Sequence, residues 1–374
     1  MNISKLSLDA LRRALNIRDL TNQQEGSHAM QLIVKDIINT LQAAWHCDIK
    51  IHRESPVVSI QDNYDRLKYP TDGASRDARY TRYVCDTALL RTQTSAIIPN
   101  AMQSVANDLP EDILLVCPGL VYRRDCIDKL HVGEPHQIDL WRISRMKKLT
   151  SNDLLEMIKI IVQAILPGMQ WRVESRVHPY TLEGLQIDVL YNNEWVEIGE
   201  CGLGHPEIIS ENIPNISGIT GLAMGLGLDR ILMLRKGIGD IRLLRSTDPR
   251  ITAQMNDLAH YKEVSSMPPV IRDLSIVLDE NKISEDLGDR VREALGDNAD
   301  IVESVAILSQ TLYQDLPEAA VIRLGINHGQ KNILLRVILR ALDRTLTTEE
   351  CNRYRDIIYA ALHEGTAWMW AKNN

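Results

Sequence analysis

The chain has 374 residues, 44% hydrophobic and 25% charged, with a formal net charge of −8. This suits two or three globular domains with apolar cores; no run approaches the roughly 20 apolar residues that span a bilayer, and the total charge shows no basic footprint for nucleic acid, although a local basic face stays open. One count is abnormal: there is no phenylalanine, against 11 tyrosines and 6 tryptophans.

The first 20 residues carry Asp9 and Asp19 and no apolar centre. They read as a short amphipathic helix, not a signal peptide. Residues 27–45 have helical apolar spacing. "DIKIHRESPVVSI" looks extended, and "DNYDRLKYPTDGASRDARY" reads as a long ordered loop. "DTALLRTQTSAII" leads into a helix near "PNAMQSVAND". "DILLVCPGLVYRRD" suggests strand, turn, strand, and "DLLEMIKIIVQAIL" a helix capped by Asn152. "LQIDVLYNNEWVEIGECG" holds Asn-Asn between two alternating runs, a hairpin signal.

Composition breaks near 250–268, and a second pattern begins. "VIRDLSIVL" is a strand, "ISEDLGDRVREAL" a helix, and "ADIVESVAILSQTLY" a strand pair or one long strand. "AAVIRLGINHGQKNILLRVILRA" reads as a hairpin, and "TTEECNRYRDIIYAAL" as a helix opened by Thr347 or Thr348 with Glu350 behind it. That order is ferredoxin-like. The six cysteines form no CxxC pair, which favours reduced thiols over a zinc site.

Two stretches could do chemistry. In "VYRRDCIDKLHVGEPHQIDLW", alternation assigns Arg123, Asp125, Gln137 and Asp139 to defined strand faces. An inward arginine suits phosphate, and a Gln-x-Asp pair suits an ammonium group. Lys129 and His131 in the loop between could cover phosphates. Taken alone, a salt-bridged surface hairpin explains this stretch more simply. In "TGLAMGLGLDRIL", Gly221, Gly225 and Gly227 allow close approach and Arg230 opens a helix. Two arginines can clamp a triphosphate, and Glu197 on a strand could hold Mg²⁺.

"LLRTQTSA", "VYRRDCIDKLHVGEPHQID", "VHPYT", "WVEIGECGLGHPE" and "GLAMGLGLDR", in this order and spacing, resemble class II aminoacyl-tRNA synthetases of the phenylalanyl type. "PPVIRDLSIVL" and "GQKNILLRVILRALDRTLTTEE" resemble the anticodon-binding domain of that family, and the single-chain layout is most similar to the mitochondrial type. The resemblance covers nearly all of the chain from about residue 27. It implies an α+β protein: a class II antiparallel sheet flanked by helices over 1–255, a linker over 256–267, and a ferredoxin-like α/β sandwich over 268–374. It implies ATP- and Mg²⁺-dependent activation of phenylalanine, or a Phe-like amino acid, and its transfer to tRNA, with tRNA-Phe as partner. Arg123 and Arg230 would be catalytic and bind ATP, with His131, Pro135 and Glu197, the last also holding the metal. Gln93, Thr94, Ser95, His136, Gln137, Asp139, His178, Tyr180, Leu222, Ala223 and Met224 would bind the amino acid. Asp139 stands where the family has glutamate, and Gln93 where histidine is usual.

A further set of departures all fall where the family has phenylalanine. Pro135 replaces a ring that stacks on adenine; His178, Tyr180, Leu222, Met224, Tyr64, Leu244, Ile251, Met255 and Ile276 stand at other such places. Two explanations stay open. Selection on composition would let the enzyme be translated when charged tRNA-Phe is scarce, and it alone covers Met255 and Ile276. A retuned pocket would instead reflect a changed substrate. A paralogue serving a non-tRNA acceptor and an inactive tRNA-binding regulator are the alternative functions. A cytoplasmic location is expected, without membrane association. The protein is expected to be a monomer or homodimer, because the motif 1 proline is replaced by Ala74.

Overall fold

The computed structural model describes residues 5–77, 80–124, 128–264 and 267–368. Asp125 and Cys126 lie outside the described residues. Packing divides the chain into two units. The first comprises 1–123, 134–238 and 253–261; the second comprises 124–133, 239–252 and 262–374. Segments 124–133 and 239–252, which the sequence read with the first domain, pack with the second unit.

The first unit opens with α1 (Leu8–Leu15), started by the Ser7 hydroxyl accepting from Ala10 N–H, and α2 (Ala29–Trp45). Then come β1 (Asp48–Ile51), β2 (Val57–Ser59), α3 (Ile60–Asn63), β3 (Ala88–Leu90), α4 (Ile98–Gln103), β4 (Asp112–Leu120) and β5 (His136–Ser144). They are followed by α5 (Ser151–Ile165), β6 (Trp171–Ser175), β7 (Thr181–Tyr191), β8 (Glu194–Gly204), α6 (Pro206–Asn212), β9 (Thr220–Gly227) and α7 (Leu228–Lys236). Seven strands form one sheet in the order β1-β4-β5-β9-β8-β7-β6. Only β1 and β4 run parallel. Strands β2 and β3 pair separately.

Side chains alternate across this sheet, so each strand serves two layers. Trp141, Ile143 and Ala223 pack with Ile98 and Met102 of α4 and Ile208 and Ile209 of α6. The opposite face carries Leu140, Leu222, Met224 and Leu226, all buried. The Asn-Asn hairpin joins β7 to β8, and Asn192 and Asn193 both take positive φ, 50° and 65°. That pair of angles gives the turn whose twist matches the strands.

Two local expectations need correction. Residues 112–120 form one continuous strand, not strand-turn-strand. Pro118 is tolerated because β1 ends at Ile51, opposite Val116, so the missing N–H lies beyond that neighbour. The cap of α5 is Thr150, not Asn152: Asp153 accepts from the Thr150 N–H and hydroxyl, each at 2.8 Å.

The second unit holds α8 (Pro249–Thr252), β10 (Val270–Asp279), α9 (Ser284–Leu295), β11 (Val302–Leu312), α10 (Glu318–Leu324), β12 (Gln330–Leu339) and α11 (Thr348–Leu362). Its sheet runs β10-β12-β11, antiparallel throughout. Leu274, Ile276, Leu335 and Val337 pack with Leu287 and Val291 of α9 and Tyr354 and Ile358 of α11. Thr347 and Glu350 make the expected capping box. The expected hairpin over 319–341 is wrong. Both edges of β12 are taken by β10 and β11, and residues 318–324 form α10, closed by Gly325 at φ 59°. After α11, Glu364 N–H donates to Val277 O at 2.8 Å, so the chain returns along the free edge of β10. This completes a ferredoxin-like order, with the returning segment in place of the fourth strand.

Candidate active site

The face that carries Trp141 also carries Asp139 and Gln137 of β5. On β9 the matching partners are Ala223, Gly225 and Gly227. Gly225 and Gly227 leave a trough along the middle of the sheet, closed at the Ala223 end by α4 and α6. A Cβ at Gly225 would sit 3.4 Å from Asp139 Oδ2, so even a methyl group would enter the space beside that carboxylate.

Asp139 is the best-defined group in the trough. Ser95 Oγ donates to Oδ2 at 2.8 Å and Thr94 Oγ1 at 3.2 Å, while Trp141 Nε1 donates to Oδ1 at 3.2 Å. Burial pushes its carboxyl up to about 6 in spite of these three donors. No ion pair reaches Asp139 among the described residues, and burial outweighs the three donors. Thr94 N–H reaches Gln137 Oε1 at 3.4 Å. Gln93 donates to Asn63 O at 3.2 Å and accepts from the Tyr69 hydroxyl at 2.8 Å. Burial pushes the Tyr69 phenol up to about 12, and raises Tyr180 well above its usual range. Tyr180 stacks on His178 with ring centres 5.7 Å apart, and Tyr69 lies 6.1 Å from Tyr180.

Glu197 reaches this face through a bulge. Gly199 pairs with Ile187 and Glu197 with Asp188, so Ile198 is an extra residue in β8. The extra residue re-aims Glu197 onto the side that carries Glu200. Burial, then the neighbouring Glu200, raises the Glu197 carboxyl, and Arg230 opposes the shift. Arg230, in the first turn of α7, donates to Glu197 O at 2.9 Å. Arg123, exposed just after β4, donates to Thr92 O at 2.8 Å.

Three expected amino-acid contacts lie elsewhere. His136 precedes Gln137, and alternation turns it to the opposite face. It is fully buried there, with Nδ1 3.0 Å from Asp229 Oδ1 and Nε2 accepting from Leu20 N–H at 3.0 Å. It is a structural bridge between β5, α7 and the N-terminal segment. Leu222 and Met224 flank Ala223 and for the same reason point into the core beneath the trough. His131 belongs to the second unit, where Nδ1 pairs with Asp128 at 2.8 Å. Pro135 is half-buried and accepts from Val121 N–H at 2.9 Å.

The sequence reading missed Tyr69, Trp141, Asp229 and Glu200. Trp141 sits two residues after Asp139, so the same alternation could have found it. Glu200 lies within "WVEIGECG", three residues after Glu197, where an unbulged strand would put the two on opposite faces.

Residues 15–255 match the class II tRNA synthetase core domain (F). The chain belongs to this family. It is 35% identical over 192 residues to the phenylalanine–tRNA ligase alpha subunit of a Nostoc species, a match covering 51% of the chain and 56% of that subunit. The chain thus spans about half the length of that relative. It is 26% identical to the mitochondrial phenylalanine–tRNA ligase of Saccharomyces cerevisiae, over 88% of the chain and 85% of the relative. The chloroplastic/mitochondrial enzyme of Arabidopsis thaliana is also 26% identical, over 80% of the chain and 67% of that protein. These long matches correct the expected cytoplasmic location, because the relatives that carry them are named as organellar. No described helix is long and apolar enough to cross a membrane.

Proposed function

We propose that the chain activates phenylalanine, or a close ring analogue, with ATP and transfers it to tRNA. The observation that carries this reading is the buried Asp139 carboxylate. It stands beside Gly225, is held by Ser95, Thr94 and Trp141, and has no ion-pair partner among the described residues. In this reading the substrate ammonium rests on Asp139 and Gln137, with Ser95, Thr94 and Gln93 fixing their positions. The side chain lies over Gly225 towards Ala223, beside Tyr180 and His178.

The substrate carboxylate then attacks the α-phosphorus of ATP. The bond to the bridging β-phosphate oxygen breaks, and pyrophosphate leaves. Arg123 and Arg230 offset the charge that develops on the phosphoryl oxygens. Class II synthetases in general use ATP with Mg²⁺, and Glu197 suits the magnesium that arrives with ATP, since that ion takes one or two carboxylates plus phosphate oxygens. Pro135 offers adenine a small apolar face. A terminal ribose hydroxyl of tRNA finally attacks the mixed anhydride and releases AMP. We assign catalysis to 1–255 and tRNA anticodon binding to the ferredoxin-like 268–374, whose base contacts would rest on stacking and backbone recognition. Amino-acid-dependent ATP–pyrophosphate exchange tests the reading. Exchange with phenylalanine or a ring analogue supports it, and exchange with no aromatic amino acid removes it.

A further inference from the structure

The trough carries a second carboxylate that the chemistry above does not use. Glu200 lies on the same cross-strand row as Asp139, with only Gly225 between them. Two interstrand steps separate their backbones, about 9.5 Å. Both side chains rise from one face, and a Cβ at Gly225 between them would meet nothing nearer than Asp139 Oδ2 at 3.4 Å; the buried Tyr69 and Tyr180 rings lie close enough to feel both carboxylates. That span matches the reach of a ring-substituted phenylalanine from its ammonium nitrogen to its substituent, once the carboxylates lean inward.

The groups around Glu200 are incompletely paired. His178 Nε2 lies 2.9 Å from Glu200 Oε2 but off the line of a hydrogen bond, and no other group bonds it. The His178 side chain is only 8% exposed. Its Nδ1 is taken by the Thr181 hydroxyl at 3.3 Å. Arg176 Nε is 3.4 Å from Glu200 Oε1. Burial works against charge on Glu200, but His178, Arg176 and Arg123 outweigh it and hold the carboxyl below its usual range. Glu200 is therefore an ionised acceptor at neutral pH. A bare phenyl ring laid against Glu200 would offer it no donor and would leave it only its contacts with His178 and Arg176, which disfavours that ligand. A ring hydroxyl would donate to Glu200 and accept from His178 Nε2–H.

We propose that Glu200 and His178 select an aromatic amino acid with a hydroxyl on the distal half of its ring. The proposal rests on the amino-acid-activating reading above and makes its substrate class more specific. Among the trough residues, Asp139 holds the ammonium end and Glu200 the ring end, with Tyr180 and Tyr69 beside the ring.

The test is ATP–pyrophosphate exchange by the full chain with phenylalanine, tyrosine, meta-tyrosine and O-methyltyrosine. The same assay is run on Glu200→Gln, Glu200→Ala and His178→Phe. One hydroxylated substrate is expected to exceed phenylalanine in kcat/KM by about tenfold or more, since a site that bonds a substrate hydroxyl rejects the analogue lacking it. O-methyltyrosine, of similar length but without a donor, should lose that advantage. Glu200→Ala should shift the ratio towards phenylalanine, and calorimetric binding of the same four ligands should follow the same order. Glu200→Gln keeps the shape if the alanine variant fails to fold. Phenylalanine used as well as or better than both hydroxylated rings, or a ratio unmoved by either Glu200 substitution, overturns the proposal and leaves the activation reading intact. Exchange with none of the four removes both.

Discussion

Replacing Asp139 with asparagine should separate substrate binding from stability. The carboxylate is buried and accepts from two hydroxyls and an indole. Asparagine can keep the Trp141 bond through its oxygen, and the hydroxyls of Ser95 and Thr94 can rotate to accept from its amide. The fold should therefore hold, while an ammonium group loses its charged partner. Removing one partner of a buried charge pair costs about 2–5 kcal/mol, so taking about 3 raises KM for the amino acid roughly 150-fold. Stability should move the other way. Between the unfolded value of 3.8 and the folded value of about 6, the folded chain holds a proton that the unfolded chain has released. Stability therefore falls as pH rises through that window, and the penalty is complete above it. Two pKa units correspond to at most about 3 kcal/mol, which the asparagine variant recovers in part at pH 7. Pyrophosphate exchange between pH 5 and 8 and urea denaturation at pH 7 measure both effects. The wild-type KM should rise about tenfold per pH unit below 6, and the variant's should not. A variant KM within threefold of wild type, or the same acid dependence in both, would refute the reasoning.

Gly225→Ala places a methyl group 3.4 Å from Asp139 Oδ2; circular dichroism should show the fold intact while exchange drops tenfold or more. His136→Ala strands the Leu20 N–H and takes the imidazole from Asp229 Oδ1, while the backbone N–H of residue 136 still donates to Asp229 Oδ2; this should cost about 2 kcal/mol in urea denaturation with little change in amino-acid KM. Pro135→Phe should tighten ATP binding in an equilibrium titration by restoring a stacking ring; unchanged affinity would count against adenine lying there. Leu222→Phe and Met224→Phe overfill the core beneath the trough, so each should lower stability by about 1–3 kcal/mol and leave amino-acid preference unchanged.

The missing phenylalanines bear on both the core and the trough. Leu222, Met224, Leu244, Ile251, Met255 and Ile276 are all buried apolar positions. Ile276 belongs to the core of the second unit, and Leu222 and Met224 face away from the trough. Tyr64 shows how a hydroxylated ring is accommodated: its hydroxyl donates to Ser75 O at 2.7 Å within a buried cluster. Of the positions where the family has phenylalanine, His178 and Tyr180 stand beside Glu200.

Local chemistry was written in the sequence and needed no tertiary context. The Asn-Asn turn, the Thr347–Glu350 box, the 27–45 helix and the i, i+2 pairing of Gln137 with Asp139 depend only on neighbours along the chain. The proposed ammonium site was readable for that reason. Which face a side chain serves depends on what pairs with its strand. Residues 318–324 could not join a hairpin once β10 and β11 had taken both edges of β12. The family resemblance implied that His136, Leu222 and Met224 are amino-acid contacts, and strand alternation buried them on the other side of the sheet. The bulge at Ile198 did the reverse, bringing Glu197 and Glu200 onto one face. A bulge is set by the register of the partner strand, so only the folded sheet could place two carboxylates along one trough.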